Sequence, residues 1–103
     1  MIGGMENSAA PAWVANYQPG VPAEIELPTE PLSRMFERSV REAGDSPATE
    51  FFGRRTSYAD LGDQVAKAAE GLRRLGVRAG DRVALILPNC PQHVVAFYAI
   101  LRL

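Results

Sequence analysis

Cys90 and His93 are the residues whose types could form a nucleophile and its base, and they stand three positions apart. A thiol beside a helix start is biased towards thiolate, because the unpaired backbone N–H groups there favour negative charge. Nucleophilic catalysis also needs a third group to orient the imidazole, and His93 has no such partner at a telling position. Both residues therefore read better as structural. Cys90 is the only cysteine, so no internal disulfide can form, and a reducing compartment is the easier reading. The basic pairs Arg54-Arg55 and Arg73-Arg74 are short and diluted by acids, which makes them solvated surface.

Around these residues the composition is that of an ordinary soluble domain. Apolar residues make up 47% and charged residues 22%, with a formal net charge of −1. That balance gives no attraction to nucleic acid or to an anionic membrane. Met1 to Trp13 carries no basic start followed by an apolar run, so no secretory signal is expected. The longest apolar stretch, Val94 to Leu101, falls far short of the ~20 residues of a membrane helix. A cytoplasmic protein without a transmembrane segment is expected.

Two regions follow from the residue pattern. Residues 1–31 are rich in Pro, Gly, Ala and Glu and read as an irregular arm. Trp13, Tyr17, Val21, Ile25 and Leu27 are its apolar grips. Residues 32–103 read as a partial α/β subdomain. Its first helix is expected from Leu32 to Ala43, with Leu32, Met35, Phe36, Val40 and Ala43 in one stripe. Thr29 is the expected N-cap, with Glu30 and Pro31 in the first turn, and Gly44-Asp45 is the stop. Ala48 to Phe52 and Arg55 to Ser57 should form a small hairpin about a Gly53-Arg54 turn.

The next helix is the clearest element. Ser57 and Asp60 make a variant capping box. Tyr58, Leu61, Val65, Ala68, Ala69, Leu72 and Leu75 then recur at three and four. Gly76 is the expected left-handed C-cap glycine, with Val77 folding back on the last turn. Arg78 to Asp81 is a turn. Val83 to Leu87 is apolar without interruption, which predicts a strand covered on both faces, as in a parallel sheet. Pro88 ends it, Asn89 should cap a last helix from about Gln92, and Pro91 fits its first turn. That helix is apolar all round and belongs inside something larger.

Strand then helix is half of a βαβ unit, whose parallel partner strand is expected after Leu103. Each Val, Leu, Ile or Phe buried is worth about 1.5–3 kcal/mol, and these 103 residues hold too little to cover both sides of the last helix. A fragment of a larger α/β domain is expected, and self-association of the fragment with it.

Several stretches together carry a family resemblance. They are Thr56-Ser57-Tyr58-Ala59-Asp60-Leu61, Ala68-Ala69-Glu70-Gly71-Leu72, Leu75-Gly76-Val77-Arg78-Ala79-Gly80-Asp81-Arg82-Val83-Ala84-Leu85 and Leu87-Pro88-Asn89-Cys90-Pro91. In this order they resemble the start of the adenylate-forming, AMP-binding superfamily. The arm narrows the likeness: Trp13, Tyr17, Val21-Pro22, Glu24-Ile25, Met35-Phe36-Glu37 and Ser39-Val40 look like the entry segment of bacterial long-chain fatty acid–CoA ligases. Gln92, Val95-Ala96 and Ile100-Leu101-Arg102 extend it. The resemblance covers about nine-tenths of the chain, from Trp13 onward.

It implies an acid–thiol ligase parent. A carboxylate and ATP would give an acyl-adenylate, and coenzyme A would then displace AMP. That chemistry needs a Ser/Thr/Gly-rich phosphate loop with a lysine, a glutamate for magnesium, and an aspartate for the ribose. It also needs a mobile carboxy-terminal domain. This chain offers none of them: Gly3-Gly4 sits in the arm, Gly76 and Gly80 bracket a turn, and the only lysine, Lys67, lies on a helix. No catalytic, cofactor-binding or metal residue carries over. Asn89, Gly80-Asp81 and Tyr58 carry over as cap, turn and core. The fragment is expected to be inactive and to bind neither ATP, magnesium nor coenzyme A, with the remainder of the parent enzyme as its partner. Two alternatives stand beside this: a small interaction protein docking through its apolar last helix, and a piece of another adenylate-forming enzyme.

Overall fold

The structure is a computed structural model that describes residues 9–103. The elements run in the order of a short 3-10 turn, Ala12–Asn16, then α1 (Leu32–Ala43), β1 (Pro47–Phe51), β2 (Arg54–Ser57), α2 (Tyr58–Arg74) and α3 (Pro91–Arg102).

Helix α2 shows how local sequence sets an element. Its first three N–H groups have no partner within the helix. The amide of Tyr58 donates to the Ser46 carbonyl at 3.0 Å and that of Ala59 to the Gly44 carbonyl at 2.9 Å. The amide of Asp60 donates to Ser57 Oγ at 3.1 Å, the expected side-chain cap. At the other end Gly76 sits at φ 97°, where a Cβ would be strained. Its N–H donates to the Arg73 carbonyl and the Val77 N–H donates to the Leu72 carbonyl. These two bonds are the Schellman ending that Gly76-Val77 implied.

Helix α1 begins and ends as its periodicity requires, but its cap differs from expectation. Pro31, not Thr29, holds the N-cap position, and no side chain caps the helix. The Pro31 carbonyl instead receives the amides of Arg34 and Met35. Proline has no N–H and a fixed φ, so it enters a helix start at little cost. Met35, Phe36, Val40 and Ala43 are half-buried, while Leu32 stays exposed at the end of the stripe. α1 crosses α2 closely at Gly62, where an added Cβ would lie 2.9 Å from Val40 Cγ1. A larger residue there would push the helices apart.

The hairpin also forms one position away from expectation. β1 starts at Pro47, β2 starts at Arg54, and the two-residue turn is Phe52-Gly53. Both turn residues have positive φ, 49° and 80°. That matches the right-handed twist of a two-residue hairpin but suits Asn-Gly far better than Phe-Gly. Phe52 is 95% exposed, so its ring gains little beyond an edge contact with Phe51.

The last part of the chain corrects the expected sheet. Among the described residues the one sheet is this antiparallel pair. Val83 to Leu87 is not a strand here, since a strand exists only with a ladder partner and this run joins none. Ile86 is 92% exposed and Leu87 42%. Asn89 does not cap α3: Cys90 holds the N-cap position without a side-chain cap bond, and Pro91 opens the helix.

The core sits where α3 crosses α2. Val65, Ala69 and Ala99 are its buried members, with Phe36, Leu72, Val95 and Tyr98 packed round them. Leu61 is also buried. The rings of Phe36 and Tyr98 stack at 4.3 Å, which ties α1 to α3. The Cα radius of gyration is 19.1 Å, against about 13 Å for a compact chain of this size.

The turn gives a direct test. Non-glycine residues pay about 1–2 kcal/mol for the left-handed conformation, and Asn pays less. We expect Phe52→Asn to raise stability by about 1 kcal/mol in urea unfolding. A loss of stability would mean that the Phe52 ring does more than the hairpin geometry shows.

Candidate functional site

The side chains with chemical potential meet in a cavity of about 430 Å³ between β1 and the start of α3. Thr49, Glu50 and Phe51 line it from the strand; Asn89, Cys90, Pro91, His93 and Val94 line it from the turn and helix. Pro88 and Pro91 bracket Asn89-Cys90, so Cys90 is held extended at φ −147°. Pro91 at the first helical position then starts α3, and the His93 amide closes the first turn on the Cys90 carbonyl at 3.0 Å.

The spacing thus puts Cys90 and His93 on one cavity, but it does not make a catalytic pair of them. His93 Nδ1 is buried without a hydrogen-bond partner, so no group holds the imidazole as an oriented base. Glu50 is the carboxylate nearest that role in the lining, and its Oε2 accepts from Arg55 Nε at 2.8 Å across the hairpin. Cys90 is a half-buried free thiol. Thr49 Oγ1 is likewise a buried polar atom without a partner, and Thr49 faces Thr56 in the strand register. Thr49, Glu50 and Phe51 were not legible as lining residues. The contact between a hairpin strand and a helix forty residues later leaves no periodic trace.

Several other charged groups are paired at the surface. Lys67 Nζ lies 2.8 Å from Asp63, one helical turn away, and this bond raises its pKa. Glu70 accepts from both Arg73 and Arg74 at 2.8–2.9 Å. These two guanidiniums hold its carboxyl down to about 2, and the Glu70 carboxylate in turn raises the pKa of Arg73. Glu30 and Arg38 pair where the arm meets α1. Among the described residues no three His, Cys, Asp or Glu side chains gather as a metal site. Lys67 sits on the exposed face of α2 with no phosphate-cradling loop. No helix among the described residues is long and apolar enough to cross a membrane.

Comparison with known proteins places this arrangement. The family model described as AMP-binding enzyme matches residues 36–103. A long-chain-fatty-acid–CoA ligase of Bacillus subtilis is 36% identical over 89 residues, covering 86% of this chain and 16% of the relative. A ligase of the same name from Escherichia coli O6:H1 is 38% identical over 92 residues, covering 87% of this chain and 16% of the relative. An acetyl-coenzyme A synthetase of Streptomyces avermitilis is 48% identical over 65 residues, covering 58% of this chain and 10% of the relative. The chain therefore spans about a sixth of the length of the ligases it matches. No solved structure matches it significantly.

Two tests bear on these groups. Thr49→Val keeps the branched shape and removes a hydroxyl that has no partner, and a buried unpaired group costs about 1–3 kcal/mol. We expect the variant to unfold at equal or higher urea concentration; a clear loss would mean that the hydroxyl is bonded. Glu70 has a folded pKa below its ordinary 4.5. Its ion pairs therefore contribute above that value and fade as pH falls towards about 2. Because the group is exposed, salt screens them. Carboxyl NMR titration should give a depressed midpoint at low ionic strength that climbs towards 4.5 in 1 M salt. A midpoint already near 4.5 at low salt would contradict the pairing.

Proposed function

Because the chain belongs to the AMP-binding enzyme family, we propose that it is the amino-terminal part of an ATP-dependent fatty acid–CoA ligase of the bacterial long-chain type. One observation carries the long-chain reading. A match over 86% of the 103 residues leaves about 14 unmatched, so it must take in most of the arm. The acetyl-coenzyme A synthetase match, over 58% of the chain, carries no such requirement. The arm is where Trp13, Tyr17, Val21-Pro22 and Glu24-Ile25 follow the long-chain entry pattern.

In this reading the parent joins a fatty acid to coenzyme A through an acyl-adenylate. ATP, magnesium and coenzyme A are held by the remainder of the enzyme, and none is held by residues 1–103. The role of the present residues is structural. α1, α2 and α3 form one wall of a larger domain, Val83 to Leu87 enters its sheet, and the arm lies over its surface. The parent works in the cytoplasm. Alone, the segment is inactive and self-associates through its uncovered apolar groups, among them Ile86, which is 92% exposed.

Pyrophosphate exchange into ATP tests this in two arms. Purified 1–103 with ATP, magnesium and palmitate should show no exchange, and measurable exchange would refute the proposed lack of chemistry. Residues 13–103 substituted for the matching segment of the Bacillus subtilis ligase should preserve exchange. Leu85→Asp in that chimera should lower it at least about 100-fold, since an unpaired buried charge costs about 3–5 kcal/mol. A folded but inactive chimera, or an active Leu85→Asp form, would overturn the assignment.

A further inference from the structure

We draw no further inference here: the strongest candidate, the cavity between β1 and the start of α3 where Thr49 Oγ1 and His93 Nδ1 lie without hydrogen-bond partners beside Cys90, rests on an uncapped helix N-terminus and a lone cysteine flanked by only partly buried side chains, and nothing in the structure shows what covers it.

Discussion

Helix α3 is held to the chain by its crossing of α2, where Val65, Ala69 and Ala99 exclude water between them. Stacking of Phe36 on Tyr98 brings α1 to the same place. The position of the hairpin follows, because the carbonyls of Gly44 and Ser46 receive the first amides of α2. Loss of the α2–α3 crossing would leave a capped helix and a two-stranded hairpin, and an isolated hairpin is at best marginal in water.

That crossing uses only part of what the sequence provides for burial. α3 has apolar residues on all sides, yet Ala99 alone is fully buried, and Phe97 and Leu101 remain exposed. Val83 to Leu87 has the same character in extended form. No strand pairs with it among the described residues. Side chains without a polar face and a backbone without a ladder are two forms of one deficit, since both require further polypeptide to lie alongside. Membership of a family whose ligases are more than five times as long agrees with that requirement.

What the sequence revealed depended on how local each signal was. The limits of α1 were legible from its apolar stripe and the stop at Gly44, and the cap and Schellman ending of α2 because Ser57 with Asp60 and Gly76 with Val77 each act within one helical turn. Thr29 and Asn89 misled for a local reason as well. Each is a good capping residue, but prolines at 31 and 91 fix where the helix backbone begins, so the cap position falls on Pro31 itself in α1 and on Cys90, next to Pro91, in α3. The hairpin turn slipped by one because Phe52 adopts a left-handed conformation that its side chain disfavours. The cavity was half legible: spacing joined Cys90 to His93, while Thr49 and Glu50 reach it only through tertiary packing. The run from Val83 to Leu87 was recognised as strand-forming in character, yet character cannot supply the partner that makes a strand.

Hydrogen–deuterium exchange of the free chain, kept dilute enough to be monomeric, tests the uncovered state of this run most directly. The amides of residues 83–87 should exchange close to the rate of an unstructured peptide, while those of α2 around Val65 and Ala69 exchange slowly. Slow exchange across residues 83–87 in the monomer would show that these residues complete their own bonding. It would contradict the view that they await the rest of a ligase.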